Sequence, residues 1–305
     1  MSPALPYRLF TVELKRREQL GPALTRFVFG GPEVAQMGTL AADQRIKIFF
    51  PDAQGRAPQL AGDDPAWYQN YRSLDAAVRP PVRTYTLRAL RAEQQEVDVE
   101  FVLHGETGPA STWATHARVG DRLQFAAPNA LYQGDPGGYE WKPPAGVREV
   151  LLIADETALP AVAGIFEQLA SLETPPRVQA YLEIPEDADR LALAGLSGAE
   201  VHWLPRAGGE VPVEHGQRMV EAVHRARLPA PGQALDPAVQ ELAEIDIEQE
   251  ILWEQASSAE TGFYAWVAGE TAAVMTIRRY LVRERQIDKR SLALMGYWRM
   301  GRVLE

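Results

Sequence analysis

Up to about residue 145, apolar residues come in short alternating runs: YRLFTVELKRREQL, LTRFVFGG, RIKIFFP, RTYTLRAL, EVDVEFVLH and DRLQFAAP. A period of two puts alternate side chains on opposite faces of a strand, and the Gly, Pro and Asp clusters between runs mark turns. The pattern predicts an antiparallel β-barrel of six-stranded type. Beyond residue 145 the runs lengthen. VREVLLIAD is almost continuously apolar, as strands buried on both faces are. ETALPAVAGIFEQLASL behind it has helical spacing, and RVQAYLEIP is a second strand. AEVHWLP, GFYAWVAG with the helical ETAAVMTIRRYLVRERQ, and RSLALMGYW complete the series. Strand and helix in alternation predict βαβ units and a mainly parallel sheet.

The Gly- and Pro-rich junction DPGGYEWKPPAGVRE separates these regions and predicts two domains, 1–145 and 146–305. Two segments interrupt the pattern. Residues 52–81 form a long polar insertion, expected as a lid or a short helical excursion. Residues 236–254 hold seven acidic residues and no basic one. Their apolar positions, Val239, Leu242, Ile245, Ile247, Ile251 and Leu252, suit an amphipathic helix with a solvated acidic face.

Composition narrows the function. Acidic residues outnumber basic ones 41 to 31, a formal net charge of −10, which argues against nucleic acid as a partner. There is no cysteine, so disulfides, thiolate catalysis and cysteine-held iron–sulfur clusters are excluded. The five histidines, from His104 to His224, are never paired at i,i+4, so no protein-held metal is expected. No run approaches the roughly 20 apolar residues of a membrane span. A cytoplasmic monomer is the expectation.

The chemistry-bearing residues cluster in a few places. In RTYTLRAL, strand periodicity puts Arg83 and Tyr85 on one face, a cation beside a flat aromatic, with Thr86 next to them. That pair can hold something anionic and planar, though an ordinary half-buried strand has the same letters. In HGETGPASTWA, Gly105 and Gly108 permit tight turns, and Ser111 and Thr112 stand where a helix starts. A helix start suits a diphosphate, or Ser111 is a plain N-cap. DETALPA follows a buried strand and brings Asp155, Glu156, Thr157 and Ala158 to its carboxyl end, where open α/β sheets bind ligands. Gly269 and Glu270 repeat that arrangement. No G-x-G-x-x-G is present, and acidic caps on helix starts account for both turns equally well.

Taken in order, RIKIFFP, RTYTLR, VDVEFVLHGETGPASTWA, LLIADETALPA, YAWVAGE with IRRYL, and GYWRMG resemble the siderophore-interacting protein family. These are flavin-dependent ferric-siderophore reductases of the ferredoxin reductase-like superfamily. The resemblance implies an FAD-binding barrel followed by an α/β domain for NADPH, with NADH as the alternative. It places Arg83, Tyr85, Thr86, His104, Gly105, Gly108, Pro109, Ala110 and Ser111 at FAD. Asp155, Thr157, Ala158, Gly269 and Glu270 border the nicotinamide, and Arg206 is assigned to an adenosine 2′-phosphate. Lys47, Arg299 and Arg302 are the expected basic residues for an anionic ferric siderophore. Electrons would pass from NAD(P)H through FAD to Fe(III), with no protein nucleophile. Two alternatives stand beside this: a flavin-dependent reductase with a ferredoxin-like donor or another acceptor, and a non-catalytic carrier of a ferric chelate or flavin.

Overall fold

The computed structural model describes residues 4–52, 54–62, 64, 66–103, 105–209, 213–230, 245, 250–257 and 262–302. The chain divides into two compact units, one ending at Tyr139 and the other beginning at Glu140.

The first unit is an antiparallel sheet of β1 (Tyr7–Gln19), β2 (Leu24–Gly30), β3 (Arg45–Phe49), β4 (Val82–Thr86), β5 (Ala89–Arg91), β6 (Glu96–Val102) and β7 (Arg122–Pro128). The order is β4-β3-β7-β1-β2-β6-β5. RTYTLRAL is therefore two strands, not the single one its alternation suggests. β4 pairs with β3 on one edge and β5 with β6 on the other. Only Leu87 and Arg88 separate them; the Leu87 amide donates to Gln44 and the Arg88 amide to Asp98. Two opposite edges joined by two residues mean that the sheet curls back on itself, a half-barrel whose corner lies at this break. The inward residues, among them Phe10, Phe27, Phe29, Ile46, Ile48, Phe101 and Phe125, form its core.

The insertion between β3 and β4 contains the short helix α1 (Trp67–Ser73). It covers the outer face of the sheet: Tyr71 lies edge-on to Phe49 at 5.0 Å, within a small cluster that includes Leu9 and Ala126. The Gln124 side chain pins the segment to β7 by accepting from the Leu60 amide and donating to the Leu60 carbonyl. Helix α2 (Pro109–His116) follows β6.

The second unit has β8 (Glu149–Ala154), α3 (Leu159–Ala170), β9 (Arg177–Ile184), β10 (Ala199–Pro205), α4 (Gln217–Val223), β11 (Trp253–Glu254), β12 (Phe263–Glu270), α5 (Thr271–Arg279) and β13 (Leu292–Trp298). The sheet order is β10-β9-β8-β12-β13-β11. All neighbours are parallel except β11, which runs antiparallel to β13. β12 is buried along its whole length, as its continuous apolar sequence requires. Tyr264 donates to the Glu140 carbonyl and packs on Trp141, which ties the Pro-rich junction to this unit. Most of 236–254, with its expected helix, lies outside the described residues. Its end is a strand, with Leu252 buried. Among the described residues no helix is long and apolar enough to cross a membrane.

Strand order reverses between β8 and β12, because β9 and β10 lie to one side of β8 and β12 and β13 to the other. The carboxyl ends of strands at such a switch point are where open α/β sheets take ligands.

Candidate functional site

In the first unit, β4 and α2 meet on one aromatic cluster. The Tyr85 ring lies 4.3 Å from Phe101 and 6.4 Å from Phe50. Trp113 of α2 lies 6.0 and 5.7 Å from the same two rings. Burial pushes the Tyr85 phenol well above its ordinary pKa, and the neighbouring Arg83 charge opposes the rise. Among the described residues Arg83 has no carboxylate partner. Its one hydrogen bond among the described residues goes to the Val82 carbonyl at 2.7 Å. By strand alternation Thr86 turns to the other face, buried opposite Arg45, so toward the Tyr85 side it offers its backbone.

The start of α2 differs from the sequence expectation. Gly108 is the N-cap, Pro109 the first helical residue and Ser111 the third. Proline suits that first position because its fixed φ is helical and the amide it lacks would have no partner there. The Ser111 hydroxyl accepts from the Gly108 amide and donates to the Gly108 carbonyl, both at 3.0 Å. The Ala110 and Ser111 amides find no acceptor among the described residues. Gly105 has a φ of 95°, and a Cβ at Gly105 or Gly108 would meet no atom within 4 Å. A guanidinium with no carboxylate partner among the described residues, a half-buried tyrosine, and helix-start amides with no acceptor among them are a donor set that fits FAD, with its anionic diphosphate and planar ring. His104 lies outside the described residues.

In the second unit, Asp155 joins three strand ends. Its Oδ1 accepts from the Thr157 amide (2.9 Å) and hydroxyl (2.5 Å). Its Oδ2 accepts from the Glu270 amide (2.8 Å) and from Trp298 Nε1 (2.7 Å). Gly269 makes this approach feasible: its φ is 157°, and a Cβ there would lie 2.6 Å from Asp155 Oδ2. Burial and the nearby charges of Glu156 and Glu183 raise the Asp155 pKa to about 7, although the Thr157 and Trp298 hydrogen bonds pull the other way. The Ala158 amide closes the turn onto the Asp155 carbonyl.

Each helix that opens at this edge is capped from within by a buried carboxylate. Asp155 serves the turn leading into α3, and Glu270 accepts from Ala272 and Ala273 at the start of α5. Glu183 accepts from Gly216 and Met219 at the start of α4. Arg206 is buried and engaged: it donates to both oxygens of Glu156, at 2.7 and 2.5 Å, and to Glu183 at 3.0 Å. A guanidinium committed to two carboxylates is a poor receptor for a 2′-phosphate, contrary to the expectation for Arg206. His215 Nδ1 lies 3.8 Å from Glu156, and Arg206 already hydrogen-bonds both acids of the Glu156–Glu183–His215 group. Among the described residues the edge thus presents mainly acceptors, whereas a diphosphate requires donors.

Of the expected basic residues, Lys47 is half-buried on the outer face of β3, opposite Thr84 and Ala126. Burial lowers its pKa, and Arg45, two residues away on the same face, adds to the effect. Arg299 and Arg302 belong to the second unit and face each other across a tight turn after β13. Sequence reasoning missed three contributors. Arg45 was legible from the i,i+2 spacing of RIK. Trp298 lay unassigned within GYWRMG. Glu183 had no local signal.

A half-barrel antiparallel sheet followed by a parallel α/β unit is a ferredoxin reductase-like fold. The ferredoxin reductase in carbazole 1,9a-dioxygenase shares the fold at 14% identity, with a TM-score of 0.57 over 97% of this chain and 71% of that one. The siderophore-interacting FAD-binding domain family matches residues 13–132, and the siderophore-interacting protein family matches residues 147–301. The chain belongs to the siderophore-interacting protein family. An uncharacterized protein of Mycobacterium tuberculosis is 30% identical over 97% of this chain and 92% of its own length. The NADPH-dependent ferric-chelate reductase of Escherichia coli is 26% identical over 96% and 93%. The ferric vibriobactin reductase ViuB of Vibrio cholerae is 25% identical over 95% and 89%. A siderophore utilization protein from T. fusca, 25% identical, superposes with a TM-score of 0.74 over 98% of this chain and 96% of that one.

Proposed function

We propose that this chain is an FAD-dependent ferric-siderophore reductase that takes electrons from NAD(P)H and delivers them to Fe(III) in a siderophore, releasing Fe(II). The observation that carries the reading is Arg83: a cation with no acidic partner among the described residues, beside Tyr85, in a chain of net charge −10. Family membership and the names of the Escherichia coli and Vibrio cholerae relatives support it. Bound FAD supplies the redox chemistry, accepting two electrons and passing them on singly. Arg83 and the free amides of Ala110 and Ser111 hold its diphosphate, and Tyr85 packs against its ring system. Lys47 and Arg45 attract the anionic chelate, with Arg299 and Arg302 as further cations. Asp155, Thr157, Ala158, Gly269 and Glu270 border the donor. The reaction belongs in the cytoplasm, where the nicotinamide nucleotides are.

A second reading, a ferredoxin-like protein donor, draws on the carboxylate-capped edge of the second unit, which presents mainly acceptors among the described residues. The net charge of −10 weighs against it, since an acidic donor would be repelled. Anaerobic flavin absorbance tests both. The FAD-loaded protein is mixed with NADPH or NADH, then with a ferric catecholate or hydroxamate. Bleaching by a nucleotide and recovery with the chelate is the expected result. No bleaching by either nucleotide, with chelate reduction by the chemically reduced protein, would move the donor to another protein. Failure to bind FAD would end the reading.

A further inference from the structure

The ligand edge of the second unit poses a charge problem for any phosphate-bearing donor. Asp155, Glu156, Glu183 and Glu270 are buried there. The facing cations are Arg206, after β10, and His215, before α4 when protonated. Arg206 donates to Glu156 and Glu183, and the Glu270 carboxylate accepts from the α5 amides. Asp155 and Glu270 accept only uncharged donors among the described residues, but only at Asp155 is one of those donors a hydroxyl.

The four donors on Asp155 are not equivalent. The Thr157 amide, the Glu270 amide and the Trp298 indole can only donate, whereas the Thr157 hydroxyl both donates and accepts. A proton on Asp155 Oδ1 therefore has a place to go. The 2.5 Å hydrogen bond reverses so that the acid donates to Thr157 Oγ1. Oδ2 keeps its bonds from Glu270 and Trp298, and the three strand ends stay joined. The balance between the two states is already close, since the group titrates at about 7.

We propose that the Asp155–Thr157 pair takes up one proton from solvent when an anionic donor binds at the carboxyl edge of this sheet. The inference rests on the reading that NAD(P)H is the donor and binds there. Negative charge arriving beside a carboxyl group raises its proton affinity, and by linkage the proton strengthens binding of the anion. One O–H bond forms at Oδ1 and no electron moves. Donor affinity then falls about tenfold per pH unit above neutrality, because each unit makes the bound proton tenfold costlier to recruit.

Anaerobic titration calorimetry on the full chain carrying chemically reduced FAD, to which NADPH and NADH bind without net flavin reduction, tests this in buffers of different ionisation heat at about pH 8. Near one proton taken up per nucleotide is expected for the wild type. Asp155→Asn imitates the protonated acid, because its amide can donate to Thr157 Oγ1 while its oxygen faces Glu270 and Trp298. This variant should take up none and bind with little dependence on pH. Infrared difference spectra with and without nucleotide should show a new protonated-carboxyl band that is absent from D155N. Nucleotide binding without proton uptake, or equal uptake by D155N, would overturn the proposal and leave the donor reading intact. If neither nucleotide binds while FAD does, the donor reading fails and the proposal with it.

Discussion

Lys47 and Arg83 face opposite sides of one two-stranded ladder. Lys47 stands opposite Thr84 across β3 and β4, and Arg83 stands opposite Ile48 one step along. Adjacent residues of a strand point to opposite faces, so Arg83 shares the side of the core isoleucines and Tyr85, while Lys47 shares that of Arg45 and Phe49. The cofactor and chelate roles proposed for Arg83 and Lys47 would thereby be separated on a single pair of strands.

Lys47→Ala is expected to raise KM for an anionic ferric chelate about two- to tenfold, the range for a partly solvated charge. FAD affinity should not change. Steady-state chelate reduction at two ionic strengths checks this, and the defect should shrink as salt rises. A parallel loss of FAD would place Lys47 at the cofactor instead.

Arg83→Ala removes a charge-assisted hydrogen bond worth about 1.5–3 kcal/mol, so FAD should bind about ten- to a hundredfold more weakly. Equilibrium dialysis with absorbance measures it. Because Arg83 has no acidic partner among the described residues, the apoprotein should unfold at an unchanged temperature. An unaltered FAD affinity would remove the observation on which the proposed function stands.

Arg206→Met leaves Glu156 and Glu183 buried without their cation, a loss on the order of 3–5 kcal/mol. The unfolding transition of the second unit should fall. Adding Glu156→Gln and Glu183→Gln should recover much of it, since the charges that needed pairing are gone. An R206M protein of normal stability that has lost only its preference for NADPH would restore Arg206 to the nucleotide.

The Asp155 pKa also predicts how stability depends on pH. Its folded value, about 7, lies above the ordinary 3.8, so between the two the folded chain holds a proton that the unfolded chain has released. The contribution is fully present below the ordinary value and is lost as pH rises through 7. The stability of the wild type relative to D155N should fall across that window and level off above it, as read by chemical denaturation at several pH values. A difference independent of pH would show that Asp155 stays ionised in the folded chain.

Much of the fold was legible because strand alternation and helical spacing are local. YRLFTVELKRREQL and VREVLLIAD declare a half-exposed strand and a buried one within a few residues each. The phosphate-friendly start of α2 was also legible, though its cap moved from Ser111 to Gly108, because Pro109 suits the first helical position. In RTYTLRAL, alternation continues through a corner that only pairing reveals: whether Leu87 extends a strand or ends one depends on β3 and β6.

By itself, then, the sequence determined the class of each half, the order of its elements and the Arg83–Tyr85 pairing, all set by neighbours a few positions apart. The tertiary structure decided which charges are available. Arg206 finds Glu156 fifty residues away, and Asp155 finds Trp298 across 143. Both partnerships exist because parallel strands bring distant carboxyl ends side by side. Once buried there, a charge must be paired or protonated, and no local pattern encodes which.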